Sequence, residues 1–251
     1  MENQYGFNFL RKVWHVLGLI IPVSLYLDIF KGYDGYQYAT RLIIVFYLGI
    51  FLILLLLMES VRLTVPAFER FFFKYFGFLM KESERNRFNG TVPYFLANLI
   101  VVMFFTPEIA VLSILFLVIG DPTAAYIGSR FGRYRFYNGK SREGIIGFFV
   151  AAFLIGLIVL TLITFSRPES AFSLQTDGNF QFLPMIFLAL GVIASCLTEF
   201  FASTTANGLI DDNLLIPIVG ALTLTISLFI FTNINLNELI FHPSLLLTKI
   251  S

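Results

Sequence analysis

One stretch of the chain decides the fold class: residues 42–58 read LIIVFYLGIFLILLLLM, seventeen positions without a charged side chain. A helix needs roughly 20 mostly apolar residues to cross a bilayer, where its backbone groups must be satisfied within the segment. The whole 251-residue chain has the same character, with 57% hydrophobic and 13% charged residues. This composition excludes an ordinary soluble domain and a disordered chain, and it predicts an integral membrane protein.

Six further apolar segments accompany this one, and together they predict an all-α, polytopic bundle of about seven transmembrane helices. The bundle is predicted to form a single integral membrane domain over residues 1–251. The predicted spans cover residues 13–30, 42–58, 92–105, 108–119, 144–165, 182–201 and 214–231. The third and fourth spans are short and only Thr106 and Pro107 separate them, so they form either a tight hairpin or a broken pair that lines a cavity.

The Lys and Arg residues are divided unequally between the two sides that seven spans define. Thirteen of the 17 fall on the side of the N-terminus, and four fall on the other side: Lys31, Arg41, Arg167 and Lys249. The rich side is predicted to be cytoplasmic by the positive-inside rule. We expect a multi-pass protein of a bacterial inner membrane rather than of the endoplasmic reticulum. The connections 59–91, 120–143 and 200–213 should share its cytoplasmic, active face.

The connection 59–91 contains a strongly aromatic segment at residues 65–80. Arg70 and Lys74 lie four residues apart among its aromatic residues, which are Phe68, Phe71, Phe72, Phe73, Tyr75, Phe76 and Phe78. This pattern predicts a helix lying in the membrane interface, and the alternative is a further membrane segment. Just before it, Glu59 and Arg62 form a polar site on the same predicted face, and the alternative is a local ion pair worth about 0.2–0.5 kcal/mol.

Glycines and cations concentrate in residues 120–147. The window holds six of the 18 glycines (Gly120, Gly128, Gly132, Gly139, Gly144, Gly147) and five cations (Arg130, Arg133, Arg135, Lys140, Arg142). Open backbone amides and fixed cations together suit phosphate groups. A flexible, positively charged loop is the alternative. A Walker A loop is excluded, because Tyr134 occupies the position of its first glycine.

Asp121 favours phosphate binding at a functional site over a flexible, positively charged loop. It follows the apolar run 110–119 and precedes Pro122, and proline disfavours helical backbone at the residue before it. A helix is therefore predicted to end at Asp121. A carboxylate at the edge of the membrane is costly, and it is a candidate ligand for Mg²⁺ or a candidate base for a hydroxyl group.

Further acids follow in the second half of the chain. Glu199 ends the sixth span, and Asp211 and Asp212 precede the seventh. The connection 200–213 holds two acids and no Lys or Arg, although its side of the membrane is otherwise basic. This anomaly predicts divalent-cation binding, and the alternative is capping of the helix that follows.

A third group of polar residues opens the first span. Arg11 and His15 lie four residues apart and would share a face of a helix, with Lys12 beside them. These residues either contact phosphate groups or anchor the topology through snorkelling side chains.

Three short segments of the chain resemble the signature of the CTP-dependent lipid kinases. They are Gly120–Gly128 (GDPTAAYIG), Phe131-Gly132 and Gly139–Gly144 (GKSREG). The family includes dolichol kinases, phytol kinases and yeast-type diacylglycerol kinases, and it is distantly related to the phosphatidate cytidylyltransferases. Shorter matches extend the resemblance over about residues 11–220: Arg11-Lys12-x-x-His15, Glu59 with Arg62, Glu84 with Asn89-Gly90, Glu199, and Asp211-Asp212-Asn213.

The resemblance implies transfer of the CTP γ-phosphate to a lipid alcohol in the bilayer (a polyprenol or dolichol, phytol or diacylglycerol) with Mg²⁺ or a similar cation. The implied catalytic residues are Asp121, Lys140 and Glu143. Asp121, Glu199, Asp211 and Asp212 would bind the metal. The residues that would bind the nucleotide and its phosphates are Arg11, Lys12, His15, Gly128, Arg130, Gly132, Gly139, Ser141, Arg142 and Asn213.

Two other functions are weighed against this one. A cytidylyltransferase would join CMP to a lipid phosphate and release pyrophosphate. A transporter would instead carry its polar residues at mid-membrane. The net charge of +1 gives no indication of a nucleic-acid partner.

Overall fold

The computed structural model describes residues 17–77, 80 and 82–250. These residues are mostly helical, with one short antiparallel hairpin of Gln175–Thr176 and Asn179–Phe180. The predicted all-α membrane bundle is confirmed. The candidate residues Arg11, Lys12 and His15 lie outside the described residues, as does Phe78 of the predicted interfacial segment.

Ten α-helices are present in the described part of the chain. They are α1 (Ile20–Leu27), α2 (Ala39–Thr64), α3 (Pro66–Phe76), α4 (Thr91–Phe104), α5 (Pro107–Leu115), α6 (Asp121–Phe131), α7 (Arg142–Ser166), α8 (Leu183–Phe201), α9 (Asp212–Phe231) and α10 (Leu236–Leu239). One turn of π-helix, Phe116–Gly120, joins α5 to α6 without a break.

Each predicted span contains a helix in its described part, although the first is α-helical only over Ile20–Leu27. Five helices of the described part are long and apolar enough to cross a membrane: α2, the continuous Pro107–Phe131, α7, α8 and α9. The third predicted span, α4, is apolar but has only 14 residues.

The prediction that a helix ends at Asp121 is wrong. Asp121 has helical backbone angles (φ −62°, ψ −47°), and helix continues to Phe131. Pro122 lacks an N–H group, and in a regular α-helix its ring would crowd the carbonyl group of Val118. The wider π-turn just before it absorbs this conflict. The true connection is therefore shorter than the predicted loop 120–144 and covers residues 132–141.

The segment formed by α5 and the π-turn is the centre of the bundle. Ile109, Leu112, Phe116 and Val118 are completely buried. Helices α1, α4, α7, α8 and α9 pack around this segment. A helix surrounded on all sides is apolar on all faces, which explains the unbroken apolar run that precedes Asp121.

Three connections meet at one end of this bundle. The Phe88 amide donates a hydrogen bond to the Asn207 carbonyl (3.0 Å), and the Asn138 side-chain amide donates one to the Phe200 carbonyl (2.6 Å). The connections that follow α3, α6 and α8 therefore form one face. We call it the site face.

The opposite end is closed by the C-terminal segment. Arg41 donates a hydrogen bond to the Phe105 carbonyl (2.8 Å) and lies 3.9 Å from the centre of the Phe241 ring. Arg167 forms an ion pair with Glu108 at 2.8 Å. Lys249 lies over the ring of Tyr36 at the same end. Three of the four Lys and Arg residues predicted on the side with fewer cations thus make contacts at this end: Arg41, Arg167 and Lys249.

Helix α3 follows α2 directly at the site face. Phe72 packs inward, whereas Phe71 and Tyr75 are about half exposed, and the charged Arg70 and Lys74 are exposed. Its 11 residues are too few to cross a bilayer, which disfavours the alternative of a further span. Its position in the membrane interface stays a prediction.

Candidate active site

Three carboxylates from three different helices meet at the site face. Asp121 opens α6 after the π-turn, Glu199 lies in the last turn of α8, and Asp212 is the first residue of α9. One carboxylate oxygen from each lies within 4.8 Å of those of the other two. Asp121 and Glu199 are buried and Asp212 is half-buried. Helix packing thus gathers acids that are up to 91 positions apart in the sequence.

Lys140 is the cation of this cluster. Its Nζ lies 2.9 Å from Glu199 Oε1 and 3.9 Å from Asp212 Oδ2, and it also donates to the Glu199 carbonyl oxygen. Burial disfavours the charged ammonium group, but the carboxylates of Glu199 and Asp212 outweigh this effect and raise the pKa of Lys140. The side chain therefore stays positively charged at neutral pH.

A tight turn in the connection 132–141 places Lys140 beside Glu199 and Asp212. The Phe136 amide bonds to the Lys140 carbonyl (2.8 Å), and Gly139 has φ +79°, which favours glycine. Phe136 packs edge-on against Phe200 at the end of α8, with ring centres 4.9 Å apart. The turn is thereby fixed over the helix end that carries Glu199.

The donor set fits a divalent cation. Carboxylate oxygens are the ligands that Mg²⁺ prefers, and three carboxyl groups lie here around a single ammonium group. Glu199 Oε2 is buried without a hydrogen-bond partner, which is costly unless something else contacts it. Asp121, Glu199 and Asp212 are thus the residues placed to hold the cation.

Asp211 and Asn213, two other candidates, have local roles at the start of α9. Asp211 Oδ1 accepts a hydrogen bond from the Leu214 amide (3.2 Å), and Oδ2 accepts one from the Asn213 side chain (2.8 Å). Asp211 is the N-cap of α9 and helps to orient Asp212. Capping, the alternative for this acidic connection, is therefore confirmed for Asp211, whereas cation binding by Asp212 stays a prediction.

The candidates Gly128, Gly132 and Ser141 lie where α6 packs against the start of α7. Ser141 is buried and caps α7 by accepting a hydrogen bond from the Gly144 amide (3.0 Å). A Cβ atom at Gly128 would lie 2.8 Å from Ser141 Oγ, and one at Gly144 would lie 2.8 Å from the Ala124 carbonyl oxygen. These glycines permit a close contact between helices, a role that composition alone does not distinguish from phosphate binding.

Glu143 and Arg130 lie on a separate groove beside α6. The groove is lined by Arg130, Phe131, Gly132, Arg133 and Glu143, and so contains none of the four clustered residues. Glu143 accepts a hydrogen bond from the Arg133 amide (3.2 Å). Arg142, at the first position of α7, is exposed. The structure therefore does not place these candidates among the clustered acids.

Glu59 and Arg62 form more than a local ion pair. Both side chains are completely buried, with Nε and Nη2 of Arg62 each 2.8 Å from a Glu59 carboxylate oxygen. Arg62 also donates to the carbonyl groups of Glu84, Arg85 and Arg87. The pair anchors the loop 84–90, and this role is invisible in the sequence because the carbonyl groups arrive from more than 20 positions away.

Arg87 lies beside the acids of the site face, and no sequence motif marks it. It lines a small polar cavity together with Glu84, Thr204, Asp211 and Asp212. In the sequence it is one basic residue of a basic connection. Only the packing of two connections places it beside the acids.

The fold and this cluster together define a class of protein: a polytopic membrane enzyme with carboxylates and a lysine at one end of an apolar bundle. The chain is 33% identical over 165 residues to CTP-dependent diacylglycerol kinase 1 of Schizosaccharomyces pombe, a match that covers 65% of this chain and 71% of the relative. The relative of the same name from Saccharomyces cerevisiae is 28% identical over 222 residues, covering 84% and 70%.

An uncharacterized protein of Rickettsia prowazekii is 25% identical over 227 residues, covering 89% of this chain and 96% of the relative. No family model and no solved structure matches the chain. The chain belongs to the family of CTP-dependent lipid kinases, which confirms the resemblance found in the sequence. It is a membrane-embedded kinase.

Proposed function

We propose that this kinase transfers the γ-phosphate of CTP to the hydroxyl group of diacylglycerol at the cytoplasmic side of the membrane. The observation that carries the proposal is the convergence of Asp121, Glu199, Asp212 and Lys140 at the end of the buried helix α5. Diacylglycerol is favoured over a polyprenol or phytol because three relatives bear the name of diacylglycerol kinases.

Phosphoryl transfer requires positioning and charge neutralisation more than covalent chemistry. A divalent cation held by Asp121, Glu199 and Asp212 would neutralise phosphate charge. Lys140 would hold a phosphate oxygen through its charged ammonium group. Asp121 would take the hydroxyl proton of the lipid, because it lies at the end of an apolar segment, at the predicted edge of the membrane where that hydroxyl group would arrive.

The test uses purified protein and CTP labelled at either the γ or the α position. Transfer of γ-label to diacylglycerol, with release of CDP, supports the proposal. Transfer of α-label to a lipid phosphate, with release of pyrophosphate, would instead identify a cytidylyltransferase. Polyprenol and phytol in parallel reactions identify the acceptor, and γ-label on either of them but not on diacylglycerol contradicts the acceptor assignment.

A further inference from the structure

We propose that Arg87 binds a phosphate group of the donor nucleotide and that the buried pair Glu59–Arg62 positions the loop that carries it. This inference rests on the proposed function, because it assigns a further residue of the same site to the nucleotide. Three observations support it: the anchoring of the loop 84–90, its close approach to the connection before α9, and the cavity between them.

The buried Arg62 side chain anchors the loop 84–90 by hydrogen bonds to its backbone. The guanidinium group donates to the carbonyl oxygens of Arg85 (2.7 Å), Glu84 (3.2 Å) and Arg87 (2.6 Å). Glu59 completes the anchor by accepting a hydrogen bond from the Asn89 amide (2.9 Å). Because Arg62 is fully buried, it acts through the loop and not by touching a substrate. Arg62 and Glu59 are thus positioning residues.

The same loop is pressed against the connection that leads into α9. The Phe88 amide donates to the Asn207 carbonyl (3.0 Å), and Gly208 has φ +95°. A Cβ atom at Gly208 would lie 2.5 Å from the Phe88 carbonyl oxygen, so only glycine permits this approach. The contact places Arg87 and Asp212 in the lining of one small cavity.

The cavity between them has a volume of about 40 Å³. This exceeds the roughly 10–15 Å³ that a cavity needs to hold a water, and oxygens of a phosphate group could replace ordered water there. Asp212 belongs both to this cavity and to the acidic cluster, where Lys140 lies 3.9 Å from it. Glu84 and Asp211 line the cavity as well, so a phosphate group would enter it together with a divalent cation that offsets their charge, with Arg87 as the cationic side chain. A guanidinium group recognises phosphate through paired hydrogen bonds.

The first experiment measures CTP affinity of the purified full-length protein by calorimetry with Mg²⁺, alongside KM for CTP. Arg87→Ala should weaken CTP binding by about 10- to 100-fold, the effect of one charge-assisted hydrogen bond. Arg87→Lys should recover part of the loss. Arg85→Ala is the matched control, because the Arg85 side chain is half exposed and pairs with Glu69 instead. Unchanged affinity in Arg87→Ala would overturn the proposal.

The second experiment tests whether Arg62 acts through Arg87. Arg62→Lys keeps the charge but cannot reach all three carbonyl groups, so it should weaken CTP binding. In the Arg87→Ala background it should add little. An equal additional loss in that background would contradict the positioning role. Glu59→Gln replaces Arg62→Lys if the latter does not fold.

The measurement of CTP affinity tests this inference independently of the proposed function, because CTP can bind without phosphoryl transfer. A protein that binds CTP through Arg87 but phosphorylates no lipid refutes the proposed function alone. A wild-type protein that does not bind CTP refutes both.

Discussion

Adjacent acids at the start of α9 differ in what their side chains contact. Asp211 accepts hydrogen bonds from its own helix terminus, whereas Asp212 faces Lys140 and the other two clustered carboxylates. The difference follows from geometry, because an N-cap residue turns its side chain back over the first helical turn. Predictions for the two residues therefore diverge.

Asp212→Asn should raise the Mg²⁺ concentration needed for half-maximal activity, since it removes one charged oxygen ligand. Asp211→Asn should leave the metal requirement unchanged, because asparagine caps helices as well as aspartate does. Asp211→Ala should lower the free energy of unfolding by about 1 kcal/mol. Mg²⁺ titrations of activity and thermal unfolding measure these effects. An equal shift in metal requirement for Asp211→Asn and Asp212→Asn would contradict the separation.

Asp121→Asn keeps the size of the side chain and removes its charge. We expect turnover to fall by about 10²- to 10⁴-fold, the usual contribution of a positioned base. The protein should still insert and elute as the wild type does. Asp177→Asn is the matched control, because Asp177 is exposed in the short hairpin and its φ of +51° suits asparagine. Activity near the wild-type value in Asp121→Asn would exclude this acid from catalysis.

Lys140 should act through its charge. The carboxylates around it raise the pKa of Lys140, so its ion-pair contribution is present below the ordinary lysine pKa of about 10.4 and is lost only as pH rises through the higher value. Lys140→Met should therefore reduce kcat/KM for CTP equally between about pH 7 and about pH 9. Lys140→Arg should retain more activity. A wild-type profile that falls toward that of Lys140→Met within this range would contradict a raised pKa.

At the scale of elements, the site depends on two helices that the apolar pattern did not define completely. The helix that carries Asp121 continues through a π-turn for 11 further residues, which lets Gly128 pack closely against Ser141. Helix α3 exposes aromatic and basic side chains in the same short segment. The first feature sets the position of the candidate acid Asp121, and the second predicts how the site face is oriented relative to the membrane.

Helix α3 should lie at the level of the lipid headgroups. In a Trp14→Phe background, Tyr75→Trp provides a single fluorophore at a half-exposed position of α3. Lipids brominated near the headgroup should quench it more strongly than lipids brominated near the chain ends. Phe165→Trp, an exposed position at the far end of α7, is a comparison at the opposite interface. Strongest quenching of Tyr75→Trp by chain-end bromines would contradict an interfacial helix.

At the scale of the whole molecule, the three connections of the site face should all be accessible from the cytoplasm. Single cysteines at the exposed positions Asn86, Tyr137 and Ser203, in a Cys196→Ala background, should react only with reagents that enter the cell. A cysteine at Asp177 should react from outside. External labelling of any of the first three would overturn the predicted orientation.

Those site residues that are marked by a pattern of neighbouring residues were predictable from the sequence. Asp121 was identifiable as an acid directly after an apolar helix, and Glu199 and Asp212 as acids on an otherwise basic side. Glu59 and Arg62 were recognisable as a pair because they are three residues apart. Their anchoring role was not, because the carbonyl groups of residues 84–87 reach Arg62 only through folding. Arg87 was missed for the same reason.

Consecutive residues are enough to specify the all-α membrane class, the helical segments and the family, because spanning length, apolar composition and short motifs are local properties of the chain. The tertiary structure alone decided that Asp121, Glu199, Asp212 and Lys140 meet while Asp211 and Ser141 cap helices. The physical reason is that the distances between side chains on α6, α8 and α9 depend on how these helices pack against α5 and the π-turn. That packing arises from contacts between residues far apart in the chain.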